Sequence, residues 1–466
     1  MNNLACSLQV LIEDRELDAI WQDSCALLWE VGLELEHPAL LAEFAQHAGV
    51  RIKQNRVCFS PALAERARSE VEADDQNYAV ARAAQKQFEI RPPYSPFDVI
   101  DLETGEKRAA NERDVSDGAR LYDSFGVAGP AHVHLREMDQ RLAQLTIAKL
   151  CCENSRSIGN WAPAYCYEEA LAIRDLYLAA GRSGPLVALQ MVHSPLRLDR
   201  NLMDILSRAR SSENGLTGFT AGGGAMPLAG VSAPIFYRAA AAQGVAECLG
   251  GWLAARLIDP ALKPYASFAA WPPDLSTGKW AAATPEALLF DVFNREIMKR
   301  LFGLIIYAPL GPLAQMCLCA AQGCRIFEPR EGHVQNAFSP AHVPLDIERL
   351  GYVASFCAGL PFEEEARLAT RLISEVLPET CFLGHESTLS YRNLYWHPAL
   401  FTGLAPERAA AMLDANSNEL LPQARAIAKK RIREHQFALS ADVQREVERT
   451  FKRGLRALEK GGKEAV

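Results

Sequence analysis

Pro185–His193 (PLVALQMVH), Leu216–Ala221 (LTGFTA) and Pro264–Ala270 (PYASFAA) are short runs, apolar on both faces, and each is followed by a stretch of helical character. Runs of that kind suit strands of a parallel sheet that is covered by helices on either side. The same alternation recurs upstream at Gly126–Val133 (GVAGPAHV) and Ser157–Pro163 (SIGNWAP). It recurs downstream at Leu304–Pro309 (LIIYAP), Cys324–Pro329 (CRIFEP) and Thr380–His385 (TCFLGH). Eight strand–helix units predict an α/β protein built on a closed (β/α)8 barrel, the TIM barrel. Such barrels carry their chemistry at the carboxyl ends of the strands, so function is sought there.

The chain of 466 residues is long enough for a barrel of roughly 250 residues with additions at both ends. Residues 1–110 read as an N-terminal helical extension, with helices near Asp18–Leu33 and Pro38–His47 and a short hairpin at Val50–Phe59. Phe97–Ala109 reads as a second β segment turning at Glu103–Gly105, and Asn111 reads as the cap of the next helix. Residues 111–395 are assigned to the barrel and 396–466 to C-terminal helices packed on it.

Hydrophobic residues make up 49% and charged residues 23%, with a net charge of −8. The acidic balance argues against a general nucleic-acid binder, and the lone basic block, Lys429–Arg433 (KKRIR), has the spacing of a wet helix face. No apolar run reaches the length of a membrane span. No basic stretch precedes the first apolar residues, so no signal peptide is expected. Twelve scattered cysteines then read as mostly reduced, buried thiols of a cytoplasmic protein.

At or just beyond the ends of the eight runs stand His132, His134, Trp161, Tyr165, Gln190, His193, Gly222, Gly223, Gly224, Trp271, Tyr307, Glu328, His333 and His385. The set is rich in aromatics and histidines and poor in carboxylates. It suits a cation or a flat cofactor better than two-carboxylate glycoside hydrolysis. Each signal has a structural alternative, since a histidine at a strand end often serves only as a hydrogen-bonding residue. The three glycines in Ala221–Gly230 (AGGGAMPLAG) fit either a tight strand-to-helix turn or a close ligand contact, and they lack the spacing of a dinucleotide or phosphate loop. Cys317, Cys319 and Cys324 have no paired C-x-x-C element, so no bound metal is expected. No G-x-S-x-G nucleophile pattern occurs, and Ser387 reads as a helix cap rather than a nucleophile.

Six segments taken together are more specific than any one alone. They are Val99–Ala109 (VIDLETGEKRA), His193–Arg197 (HSPLR), Ala221–Gly230, Asp274–Gly278 with Thr284–Leu289 (DLSTG…TPEALL), Ser339–Glu348 (SPAHVPLDIE) and Phe382–Leu389 (FLGHESTL). In them the chain resembles the trimethylamine methyltransferase superfamily, as a member without pyrrolysine. The resemblance implies a TIM barrel that moves a methyl group from a methylated amine to a corrinoid. That cobalamin-type cofactor is carried by a separate corrinoid protein docking at the barrel mouth. Two departures stand out. Ala308–Ala320 (APLGPLAQMCLCA) is apolar where the family is polar, and His193 replaces an expected asparagine.

On this reading His385 and Glu328 are the catalytic candidates. Trp161, Tyr165, Gln190, His193, Trp271, Tyr307 and His333 would bind substrate, and Gly222, Gly223, Gly224 and His385 would meet the corrinoid. A quaternary ammonium leaves as a neutral amine and needs no proton, so a site poor in acids and rich in aromatics favours a small quaternary, betaine-like substrate. The partners expected are the cognate corrinoid protein and this amine, with a homo-oligomer left open and neither nucleic acid nor membrane. The alternatives are a barrel enzyme of corrinoid-independent chemistry and a non-catalytic betaine-binding protein.

Overall fold

The elements that position the site are strands β1 (Glu89–Ile90), β2 (Val187–Gln190), β3 (Phe219–Ala225), β4 (Ala266–Phe268), β5 (Ala308–Pro309) and β6 (Ile326–Glu328). With them go helices α1 (Tyr167–Ala179), α2 (Arg200–Arg210), α3 (Tyr237–Ile258) and α4 (Pro285–Phe302). The structure is a computed structural model. It describes residues 11–70, 88–90, 97–127, 133–156, 164–184, 186–262, 266–281, 284–303, 308–309, 313–328, 333–334, 337–358, 368–376, 381–391, 396, 398, 400 and 420–464.

The three central runs pair as their composition predicts. β2, β3 and β4 form a parallel sheet in the order β4–β3–β2, with Phe219 beside Val187, Gly222 beside Gln190 and Gly223 beside Ala266. Helices alternate with them, and their ends follow local chemistry. Asp199 caps α2 by accepting from the Leu202 N–H at 2.9 Å. Thr284 caps α4 ahead of Pro285, and α4 stops at Gly303 in the left-handed region.

Helix α3 lies against the sheet more closely than an ordinary helix could. Its stretch Ala240–Ala255 is buried throughout, and its small residues meet the strand backbone directly. A Cβ on Gly223 would lie 2.3 Å from the Cys248 Cα, and one on Gly251 would lie 3.0 Å from the Gly223 Cα. A Cβ on Gly244 would lie 2.7 Å from the Phe268 ring. The glycines on both partners are what allow this contact.

A second parallel sheet has the order β5–β6–β1. It contains the sixth and seventh expected runs, but the strand beside β6 is Glu89–Ile90, which the sequence reading left unassigned in the N-terminal extension. The expected eighth strand at Thr380–His385 is corrected. Cys381–His385 form no strand, and His385 instead starts the short helix Glu386–Ser390. This segment is apolar but outward-facing, with Leu383 79% exposed, and an apolar run in such a place mimics a strand. Of the first run, Val127 and Val133 lie outside any strand, while 128–132 and all of 157–163 fall outside the described residues. The architecture is thus mixed α/β with small sheets, and among the described residues none closes into a barrel.

Both flanking regions are tied to this scaffold. The expected hairpin forms between Val50–Lys53 and Arg56–Phe59. It continues through Leu33–Glu34 to Arg197–Leu198 and Val192–His193, which follow β2 directly. Asn111 caps Glu112–Ser124 in a reciprocal box with Asp114. At the other end, the helix Ala441–Glu464 packs on Gln140–Asn154 and α1. The buried His435 places its Nε2 2.7 Å from Asp123 Oδ2 in the link before that helix.

The close α3–β3 contact gives a direct check. Gly223→Ala is expected to destabilise the protein by about 3 kcal/mol or more, because backbone would have to move. Gly224→Ala, whose Cβ would meet only the flexible Gln190 amide at 3.2 Å, should cost under about 1 kcal/mol. Urea unfolding of the two variants measures the difference, and equal losses would contradict this packing.

Candidate active site

Side chains on adjacent strands alternate between two faces of the sheet. Val187, Leu189, Phe219, Ala221, Gly223 and Phe268 are buried on the face toward the helices, β2 against α1 and α2 and β3 and β4 against α3. The pairing of β2 with β3 then groups Ala188, Gln190, Thr220, Gly222 and Gly224 on the other face. Gln190 is exposed and Thr220 half-buried, so this face offers one amide and one hydroxyl above a floor of small residues. Gln190 lies across Gly224, near enough that a Cβ there would sit 3.4 Å from its Oε1. Gly223 serves helix packing, whereas Gly224 lies against the Gln190 amide.

Beyond its carboxyl end the β3–β4 ladder continues as a rim. Trp271 N–H donates to the Pro227 carbonyl at 3.1 Å, and Ala229 N–H donates to the Trp271 carbonyl at 3.0 Å. The Trp271 ring meets Trp280 edge-on, with centroids 4.5 Å apart at 81°. Trp280 is held on a hairpin whose turn is built by Asp274. That carboxylate accepts from the Ser276 hydroxyl at 2.6 Å and the Thr277 hydroxyl at 2.8 Å, and these bonds hold it below the ordinary carboxylate range. The Asn294 amide of α4 fixes the neighbouring Ala270 carbonyl at 2.9 Å, and Tyr237 of α3 donates to Asn294 at 3.2 Å. Trp271 is thus anchored by both adjacent helices and by an aromatic partner. Met226, Phe236 and Leu275 are exposed in the loops around it.

Tyr165 is exposed just before α1. The short connection from α1 to β2 reverses the chain, so the start of α1 and the end of β2 lie at the same end of the layer. Arg174 anchors the opposite end by donating to the Gly215 carbonyl at 2.9 Å. The Tyr165 N–H donates to Glu169 Oε2 at 2.7 Å. Glu169 is only 1% exposed, its Oε1 has no hydrogen-bond partner among the described residues, and burial pushes its carboxyl up to about 7 against the pull of the Tyr165 N–H. The sequence reading passed over this residue. Its signal was spacing: Glu169, Ile173 and Leu176 fall on one helix face, so a carboxylate stands in an apolar stripe.

The other candidates sit elsewhere or are engaged locally. His193 belongs to the five-stranded sheet beside the N-terminal hairpin. Its Nε2 lies 2.8 Å from Asp199 Oδ2, a contact that raises the imidazole and lowers the carboxyl. The turn behind it is pinned by buried Glu247 of α3, which accepts from the Ser194 hydroxyl at 2.6 Å and the Leu196 N–H at 2.9 Å. These bonds hold Leu196 at φ +49°, a left-handed conformation that few side chains adopt. The HSPLR segment is therefore a brace between α3 and the N-terminal sheet.

His385 accepts from the Ser387 N–H at 3.2 Å through Nδ1, while its Nε2 lies 3.2 Å from Glu375 Oε2. It caps a helix rather than ending a strand. His134 stacks on Phe97 with centroids 5.0 Å apart, and burial lowers its pKa. His132, Trp161 and Tyr307 lie outside the described residues, and only the backbone of Glu328 and His333 is described. The described cysteines are free thiols, with Cys166 and Cys381 exposed. Among the described residues, no three His, Cys, Asp or Glu side chains are grouped to hold a metal ion. No described helix is long and apolar enough to cross a membrane.

A polar face beside an aromatic rim, both at the carboxyl end of parallel strands, marks a βα protein whose strand ends are the candidate site. The trimethylamine methyltransferase (MTTB) family model matches residues 2–304, well over half of the chain, and the protein belongs to that family. The family is one of methyltransferases acting on methylamines, which work in general with corrinoid proteins. No curated protein matches the chain. The match contains Tyr165, Gln190, Gly222–Gly224 and Trp271, and it ends before Glu328, His333 and His385.

Glu169 yields a prediction of stability against pH. Its folded pKa is raised from 4.5 to about 7, so the protonated, folded form is favoured. That advantage is fully present below about pH 4.5 and is lost as pH rises through about 7. Relative to Glu169→Gln, the wild type should lose up to about 3 kcal/mol between those limits. Parallel denaturation curves that do not converge or diverge with pH would contradict the burial.

Proposed function

We propose that this protein moves a methyl group from a small quaternary, betaine-like amine to the cobalt(I) of a corrinoid carried by a separate protein in the cytoplasm. The observation that carries the reading is the family match over 2–304, which spans the open face of Gln190 and Thr220 and the Trp271 rim.

The rest of the fold supports a site at the mouth of a barrel. Two of the parallel strands frame it: β1 would be the first and β6 the last. Their parallel pairing would be the closing seam, in support of which β6 bonds β5 on one side and β1 on the other. Among the described residues, eight helices from Glu112–Ser124 to Val343–Ala358 accompany the strands along the chain. The barrel so drawn ends near residue 358, and His385 lies beyond it.

The corrinoid, when docked, supplies the nucleophile. The chain's own residues bind, orient and exclude water. The Trp271 and Tyr165 faces attract the ammonium head, each contributing roughly 1–2 kcal/mol to a desolvated cation. Gln190 and Thr220 offer hydrogen bonds to a carboxylate or hydroxyl at the amine's other end. As the carbon–nitrogen bond breaks, its electron pair stays on nitrogen and the product is a neutral amine, so no residue need deliver a proton. Small residues at 188, 222 and 224 leave room for a flat macrocycle to approach. The exposed Met226, Phe236 and Leu275 around the mouth are the kind of apolar surface that a protein partner covers.

The test follows the cobalt absorbance of a cobalt(I) corrinoid protein mixed with the enzyme and glycine betaine, carnitine, proline betaine or choline. Methylation is expected with at least one amine, falling about tenfold in Trp271→Leu. Methylation with none of them would overturn the proposal. Amine binding without transfer would favour a betaine-binding protein.

A further inference from the structure

We propose that Glu169 is a positioning residue for the amine, holding the Tyr165 segment in its ionised form, so that amine binding drives a proton off Glu169. The inference rests on the amine-site reading above and adds a regulatory group to it.

The geometry is a buried carboxyl with unequal oxygens. Oε2 accepts the Tyr165 N–H at 2.7 Å, and Oε1 is buried with no partner among the described residues. A carboxylate makes the stronger, charge-assisted bond to that N–H, and a neutral acid the weaker one. The backbone carrying Tyr165 is therefore held most firmly when Glu169 is ionised. Ionisation in this place is costly, because burial strips the charge of solvation and one hydrogen bond compensates it only in part. A helix whose only need was a capped first turn would be served by an amide at lower cost.

Among the described residues, the charges around Glu169 supply no counter-ion. On its own segment stand the Tyr165 phenol, pushed up by burial and further by the Glu169 charge, and the Cys166 thiol, pushed up by burial against the pull of the Glu169 N–H. Glu168 is engaged by Arg208 of α2 at 2.9 Å. From Gln140–Asn154, Lys149 turns to Glu153 at 2.7 Å and Glu448 at 3.5 Å. From Ala441–Glu464, Arg453 goes to Asp175 at 3.5 Å. The fourth packed element, β2, carries no ionisable side chain.

The free protein therefore holds Glu169 near the midpoint of its titration at neutral pH, since burial raises it to about 7. A cationic head seated on the Tyr165 ring brings a positive charge toward the buried carboxyl. In a poorly screened interior that charge favours the ionised form. By linkage, a ligand that lowers a pKa on binding releases protons below that pKa and binds more weakly there.

Isothermal titration with glycine betaine, carnitine, proline betaine and choline, in buffers of differing ionisation enthalpy, counts the protons released. Wild type should release close to one proton per amine bound at about pH 6 and almost none at about pH 8.5, with affinity falling about tenfold per pH unit in acid. Glu169→Gln should bind without proton release and with a flat pH profile, and Glu169→Asp should restore part of the release. Binding with no proton release at about pH 6, or equal release in Glu169→Gln, would overturn the inference while leaving the amine site standing. If none of the amines binds at either pH, both fail.

Discussion

Helix α3 approaches strand β3 through glycine on both sides, with Gly223 of the strand against Cys248 and Gly251 of the helix. A side chain at either glycine would hold the helix away from the sheet. Because the contact is backbone to backbone, it fixes the distance between the layers with little freedom. Several features of the site then follow. Glu247 on α3 reaches the turn after β2, and Tyr237 reaches Asn294 and so the carbonyl before Trp271. The open face of Gln190 and the rim of Trp271 are both set from this one helix.

What was legible in the sequence was what local chemistry alone decides. Val187–Gln190, Phe219–Ala225 and Ala266–Phe268 are buried between layers, and their apolar character announced them. Asn111, the Val50–Phe59 hairpin and the Glu103–Gly105 turn were equally plain, because each is made by residues close in sequence. What was not legible depends on distant partners. Glu89–Ile90 is two residues long and gave no periodic signal, yet it pairs with Ile326–Phe327 from the far end of the chain. Phe382–Leu383 gave an apolar signal but lies on the surface, where no strand forms. Among the described residues, five of the eight expected runs contain a strand, and none of the sheets closes.

The candidate site divides along the same line. Gln190 and Trp271 were proposed because strand ends carry function, and they stand at the carboxyl end of β2 and just past that of β4. His193 and His385 were proposed on the same ground, but their partners Asp199, Ser387 and Glu375 give them local structural contacts that the one-dimensional pattern could not display. Glu169 was overlooked because a glutamate in the first turn of a helix is ordinary, and only burial makes it unusual. A group whose burial costs stability is a stronger sign of function than one whose contacts already account for it.

The central claim is that the amine sits on the open face of the three-stranded sheet. A crystal structure of the protein soaked with glycine betaine tests it most directly. The account predicts the ammonium head against the Trp271 ring and the carboxylate near the Gln190 amide, over Gly222 and Gly224. Betaine density confined to the His193–Arg197 turn or to the His385 segment, with that face empty, would contradict it.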